Sequence, residues 1–312
     1  MILPLDVQEK VNKLFAGLNK ESLVSKREQL TQKYKTNQAV NGSVFESNGD
    51  SAVYAISRMP ATFAVIYTLI SDLIKQGLIK QVDSVIDIGS GTGAGFFACR
   101  EIFDDIKVSL FERDDNMIQV FDKFETGVKA KKFNFIRDEI KERADIVMSS
   151  YVFSELNEDG RRVALKKMID CSNKYVLIVD TGTPRTYENF MKLKKLVYDF
   201  GLKVIAPCCS EKCGLKNDYC QFYSRVERSG LMKMSKSAEL SYEDEKYFYL
   251  LISKDENMVL QDKKRVIRRP QIKTNFVELK LCTTSGVCEE KFTKKDKELY
   301  KLAKKIKINE IM

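Results

Sequence analysis

Two groups of side chains carry chemistry in this 312-residue chain. In the first, the apolar run Val85-Ile86-Asp87-Ile88 leads into Gly89-Ser90-Gly91-Thr92-Gly93-Ala94-Gly95, and FFACREIF then opens a helix. Alternate glycines permit a tight turn and let a ligand approach the backbone, while a helix N-terminus offers free N–H groups and a positive dipole end. The strand VSLFE ends on Glu112, 23 residues after Gly89. A carboxylate there can accept hydrogen bonds from both hydroxyls of a ribose. In the second group, Cys208, Cys209, Cys213 and Cys220 fall within 13 residues of a polar, lysine-containing loop. Thiolates so spaced hold metal, whereas lone cysteines such as Cys99 and Cys171 read as small core residues.

The glycine loop has three readings. Gly89-Ser90-Gly91-Thr92-Gly93-Ala94 satisfies the G-x-G-x-x-G/A pattern of dinucleotide binders, which would make the chain an oxidoreductase. Asp87, Gly89, Gly91 and Gly93 also satisfy the D-x-G-x-G-x-G pattern of methyltransferases in full, where the acid orients the amino-acid end of S-adenosylmethionine. A purely structural turn is the third. The complete acid–glycine set with Glu112 in register predicts S-adenosylmethionine, held by Asp87, Gly89, Ser90, Gly91, Gly93 and Glu112, with Ser150 joining them from the end of the fourth strand. That stretch, ADIVMSSYVFSEL, has neither the N/D-P-P-Y/F device of amine methyltransferases nor a cysteine nucleophile. The sequence therefore names no catalytic residue, and a non-catalytic cofactor-binding domain stands beside an enzyme.

Cys208, Cys213 and Cys220 supply three metal ligands. Cys282, ending a strand candidate, is the expected fourth, with Cys288 as substitute and Cys209 as spare. The uneven spacing suits a [4Fe–4S] cluster and leaves zinc open. The chain has no His, which limits ligands to thiolate and oxygen and excludes His-based acid–base catalysis.

Positioning these residues requires strands that alternate with helices. SVIDI, KVSLFE, KFNFI, ADIVMSS and YVLIVD read as short buried strands of an α/β parallel sheet. Ahead of them, residues 1 to about 50 read as helices, with apolar recurrence at Val11, Leu14, Phe15, Leu18, Leu23 and Leu30. Turn formers at Asn41-Gly42-Ser43 and Asn48-Gly49-Asp50 predict a loop, and FAVIYTLISDLIKQGL predicts a helix ending near Gly77. After Gly201, KVIAP is one more strand, YFYLLIS and FVELKLC read as half-exposed strands, and KKDKELYKLAKKIK as a basic helix. Three regions follow: N-terminal helices over 1–80, a cofactor-binding α/β domain over 81–204, and a basic, cysteine-ligated module over 205–312.

Composition is that of an ordinary globular protein, with 44% apolar and 31% charged residues and no apolar run near the ~20 residues of a membrane span. The start lacks a signal-like apolar region and carries Asp6 and Glu9, unlike a transit peptide, so an intracellular location is expected. Reduced thiols fit that compartment. Of the net charge of +9, residues from Gly201 onward supply 24 Lys and Arg against 16 Asp and Glu. Arg225, Arg228, Lys263, Lys264, Arg265, Arg268 and Arg269 are candidate contacts to a polyanion.

From about Ala52 to Gly286 the chain resembles the methyltransferase-like assembly factors of the small ribosomal subunit, found in mitochondria and bacteria. The resemblance rests on Tyr54-Ala55-Ile56-Ser57-Arg58-Met59-Pro60-Ala61-Thr62, the DIGSGTG loop, SSYVFSEL, Gly182-Thr183-Pro184 and Ala206-Pro207-Cys208. Tyr242-Glu243-Asp244-Glu245-Lys246, Arg268-Arg269-Pro270 and Leu281-Cys282 continue it. It implies a seven-strand-type S-adenosylmethionine-dependent methyltransferase fold, a [4Fe–4S] cluster on Cys208, Cys213, Cys220 and Cys282, and binding to small-subunit rRNA, with neither DNA nor membrane as partner. It implies a cytoplasmic protein, or a matrix one in a mitochondriate eukaryote. The chain departs from the family at Cys209-Ser210, where Pro-His is common, and at Tyr219-Cys220-Gln221 in place of Trp-Cys-His. Asp180-Thr181 likewise stands for Glu-Pro.

Overall fold

The computed structural model describes residues 1–14, 19–35, 48–215, 217–255, 258 and 264–312. Helices α1 (Leu5–Lys13), α2 (Lys20–Lys35), α3 (Asn48–Ser57) and α4 (Met59–Lys75) come first. Then follow β1 (Ser84–Ile88), α5 (Ala94–Ile102), β2 (Lys107–Glu112), α6 (Asp115–Phe124), β3 (Ala130–Lys132), β4 (Ala144–Ser150), α7 (Glu158–Cys171), β5 (Ser172–Thr181), α8 (Pro184–Asp199) and β6 (Lys203–Ala206). The chain continues with β7 (Phe222–Glu227), α9 (Gly230–Ser235) and β8 (Tyr242–Ser253). It ends with β9 (Arg265–Val266), β10 (Gln271–Ile272), β11 (Phe276–Thr283), β12 (Gly286–Thr293) and α10 (Lys297–Lys305).

The central sheet runs β3-β2-β1-β4-β5-β8-β6, with β7 paired to β8. The first five strands are parallel, and β8 is antiparallel to both β5 and β6. The order reverses direction at β1, so right-handed crossovers send α5 and α6 to one face and α7 and α8 to the other. This is the α/β, methyltransferase-like arrangement expected, with a mixed sheet. The reversal also opens a crevice between the ends of β1 and β4, the ligand position in such folds.

Four expectations change. KFNFI is not a strand: β3 stops at Lys132, because the Asn134 side chain accepts from the Ile136 and Arg137 N–H groups and turns the chain. Asn48-Gly49-Asp50 opens α3 instead of a loop. YFYLLIS is buried on both faces, not half-exposed, since β8 lies inside the sheet between β5 and β6. For the same reason the chain does not leave the sheet at 205: only β9 to β12 and α10 form a second sheet, with its own small core of Val266, Val277, Leu279, Leu281, Ala303 and Ile306. FVELKLC does alternate as read. In the N-terminal helices, Val7, Val11, Leu23 and Leu30 join the main core. Phe15, Leu18 and Asn41-Gly42-Ser43 lie outside the described residues. Among the described residues no single helix is long and apolar enough to cross a membrane.

Arg265, expected on a basic surface, is 1% exposed. Its guanidinium donates to Gln76 Oε1 at 2.9 Å and to the Asn309 carbonyl at 2.7 Å, tying the second sheet to the end of α4. Arg225, Arg228, Lys264, Arg268 and Arg269 each pair with an acid, and Lys263 lies outside the described residues. Exposed lysines gather instead on and around α10, among them Lys294, Lys295, Lys297, Lys304, Lys305 and Lys307.

Candidate cofactor and thiolate sites

The crevice holds a cavity of about 500 Å³, walled by Gly89, Gly91, Glu112 and Ser150 from the expected set. Tyr54, Arg113, Phe133, Asn134, Phe135, Tyr151 and Glu155 complete much of the wall. Asp87, Ser90 and Gly93 do not line it. Asp87 is 2% exposed beneath the loop and sits against the first turn of α5, where a Cβ on Gly95 would come within 2.5 Å of its Oδ2.

Glu112 does more than await a ribose. Its Oε2 accepts from the Gly91 N–H at 2.8 Å, and its Oε1 from Arg113 and Asp114 N–H at 2.7 and 2.9 Å. It thus pins the glycine loop to the end of β2 and leaves roughly one of its four acceptor positions unused. Binding both ribose hydroxyls requires one of these bonds to yield.

Asp87 Oδ1, Ser90 Oγ, Thr92 Oγ1, Ser150 Oγ and Tyr151 Oη are buried without a hydrogen-bond partner. Buried polar atoms in native proteins are nearly always satisfied. Five such atoms gather in the loop, the strand beneath it and the end of β4. Tyr151 is further held at φ +61°, a strained backbone for a tyrosine. Burial pushes Asp87 up to about 7, with Glu112 adding to the shift, and pushes Tyr54 up to about 12. Burial also raises Glu112 against the pull of its N–H bonds. No spacing rule marks Tyr54, Tyr151 and Glu155 as site residues, although all three lie in the motifs that carry the family resemblance. The signal was the SSYVFSEL segment itself, which ends β4 at the cavity mouth.

The four expected thiols share one cavity without closing on a common point. Cys208, Cys213, Cys220 and Cys282 line one small cavity, whereas Cys209 and Cys288 do not. Among the described residues no three His, Cys, Asp or Glu side chains gather closely enough for a single metal ion. A tetrahedral zinc would draw each sulfur to about 2.3 Å. A cubane would spread four thiolates over four irons. The Cys209 thiol pulls Cys282 down to about 6, and Lys194 and Arg265 act in the same direction. Lys194 is 3% exposed with its ammonium on the Ser210 carbonyl, and no acid neutralises it among the described residues. A buried cation beside four thiols fits an anionic cluster. The Tyr187 hydroxyl lies 2.9 Å from Cys213 Sγ.

Among curated proteins none matches the chain. Among solved structures it is similar to a TehB-like SAM-dependent methyltransferase from Corynebacterium glutamicum, at 14% identity over 73% of this chain and 98% of that one, with a TM-score of 0.40. It is also similar to magnesium protoporphyrin IX methyltransferase from Synechocystis PCC 6803, at 8% identity over 75% and 99%, with a TM-score of 0.42. A family model described as mitochondrial small ribosomal subunit Rsm22 matches residues 48–310, and the chain belongs to the Rsm22 family.

Proposed function

We propose that this chain binds S-adenosylmethionine in the cavity between β1 and β4 and acts on the small ribosomal subunit as a methyltransferase-like assembly factor. One observation carries the reading: a cavity walled by Gly89, Gly91, Glu112 and Ser150 lies over a glycine loop in which Asp87, Ser90 and Thr92 keep buried polar atoms without a partner among the described residues. Asp87 would hold the amino-acid end, Glu112 the ribose, and the turn at Phe133–Phe135 the base. Bound there, the cofactor supplies an electrophilic methyl group. The chain's own residues bind and orient it, and Phe133, Phe135 and Leu156 keep one wall of the cavity apolar. Ser149-Ser150-Tyr151 at the end of β4, in place of a proline-rich amine-binding device, favours a second reading in which the bound cofactor is structural.

Calorimetry with S-adenosylmethionine tests the site. Glu112→Ala is expected to weaken binding by ~1 to 3 kcal/mol, the range for hydrogen bonds to a charged group. Tight binding of a dinucleotide, with no response to S-adenosylmethionine, would overturn the assignment.

The [4Fe–4S] cluster on Cys208, Cys213, Cys220 and Cys282 belongs to the same proposal, supported by the shared cavity and the buried Lys194. Small-subunit rRNA is the proposed partner, in the mitochondrial matrix for a mitochondriate host and in the cytoplasm otherwise. The exposed lysines around α10 suit its phosphates. Replacing Lys297, Lys304 and Lys305 together with Ser is expected to flatten the log–log salt dependence of RNA affinity by roughly 0.7 to 0.9 for each phosphate no longer neutralised. An unchanged slope would move the interface elsewhere.

A further inference from the structure

The cofactor cavity contains an acid that the cofactor motif does not use. Glu155 ends the short 3-10 turn Phe153–Glu155 that follows β4, and it lines the cavity. Among the described residues its carboxylate has no hydrogen bond and no ion pair. Its acidic neighbours are engaged. Asp180, at the end of β5, accepts from Ser154 and Thr181 N–H, each at 2.7 Å, and Glu112 holds three N–H groups. Arg113 is the cation whose field reaches Glu155, and Tyr54 of α3 faces it as a neutral phenol. A half-buried carboxylate on a cavity wall, unpaired among the described residues, is placed to attract positive charge on a ligand.

We propose that Glu155 is the counter-charge for a cationic centre on the ligand, the sulfonium of S-adenosylmethionine, so that the cavity favours the sulfonium form over the neutral thioether product. The inference rests on the cavity being the S-adenosylmethionine site. The two ligands share the adenosine and amino-acid portions and differ in one methyl group and one charge. Contacts from Asp87 and Glu112 act on the shared portions and cancel in the ratio of the two affinities.

A sulfonium does not titrate, so any pH dependence of that ratio belongs to protein acids near it. Burial pushes Glu155 up to about 7, against the pull of Arg113, with Asp180 and Glu112 pushing the same way as burial. The carboxyl therefore gains charge as pH rises through neutrality. Attraction for the cationic ligand grows in the same direction, while the thioether gains nothing. Asp87 also titrates near 7, but beneath the loop, where both ligands present the same amino-acid end.

The test is calorimetry on the full chain with S-adenosylmethionine and S-adenosylhomocysteine at about pH 6 and about pH 8. The affinity ratio is expected to shift toward the sulfonium by roughly three- to tenfold across that interval, as one added charge nearby would produce. Proton release should accompany binding of the cation and be smaller for the thioether. Glu155→Gln should flatten the ratio while the thioether still binds, and Glu155→Asp should restore part of it. A wild-type ratio that is the same at both pH values, with both ligands bound, overturns the counter-charge and leaves the cofactor site standing. Should neither ligand bind, the cofactor site falls and the inference with it. The wild-type comparison decides even if a variant fails to fold.

Discussion

Gly93→Ala is expected to destabilise the protein by about 3 kcal/mol and to abolish cofactor binding, while Gly91→Ala, two residues away, costs only ~1 to 2 kcal/mol. Gly93 is the left-handed cap of α5, at φ +86° and ψ 19°. An L-residue in that region is disfavoured by ~1 to 2 kcal/mol. A Cβ there would also lie 2.4 Å from Phe121 Cδ2 and 2.6 Å from Cε2. Phe121 cannot swing away: it is fully buried and packs edge-on against Phe96, with ring centroids 5.4 Å apart. Overpacking of that kind adds ~1 to 3 kcal/mol. Gly91 has φ +54° and no atom within 4 Å of its virtual Cβ, so only the backbone cost remains. Urea unfolding of the two variants, with unchanged m-values, gives the comparison. Equal losses would show that the Phe121 contact relaxes freely and that the loop does not depend on it.

The glycine loop and the Glu112 that pins it were legible because the turn itself fixes their residue types. Asp87, the glycines and Glu112 end two adjacent strands, and backbone conformation dictates those residue types. What escaped was set by tertiary packing. Phe133–Ile136 has a strand's composition, yet Asn134 bonds the backbone ahead of it and makes a turn. YFYLLIS alternates enough aromatic and aliphatic residues to pass for an edge, and only the insertion of β8 between β5 and β6 explains why its whole length is apolar. Arg265 looked like surface charge because nothing in its neighbourhood of sequence announces Asn309 or Gln76 as partners. The same holds for Lys194: one of three lysines in Lys192-Leu193-Lys194-Lys195, it reads as solvated until the thiols appear beside it. The cysteines were legible in number, but the choice of Cys282 over Cys288 depends on register. Cys282 stands opposite Val287, and Cys288 opposite Leu281, so the two point to different faces of the β11–β12 pair.

Cys282→Ser is expected to have the largest effect on the C-terminal part of the chain. Between Ala206 and Phe222 the described residues form neither helix nor strand, and three of the four cavity thiols lie in that stretch. Asp218 ties it to the second sheet through Arg268 and Lys280, and a metal shared with Cys282 on β11 would add the stronger link. A bound thiolate–metal centre would hold these segments together with binding free energy on the order of 10 kcal/mol, as in small thiolate–metal domains. The wild-type chain, purified without oxygen, should therefore be brown with about four irons. Cys282→Ser should be colourless, lose the iron, and be cut by protease between Pro207 and Gln221, while β1 to β8 and the cofactor affinity remain. Cys288→Ser should keep the metal, because Cys288 does not line the cavity. Cys209→Ser should keep it as well but change the centre's reduction potential, since its thiol hydrogen-bonds Cys282. One zinc and no iron in the wild type would reject the cluster and keep the site. Free alkylation of all four thiols in the native protein, with no metal bound, would reject the site.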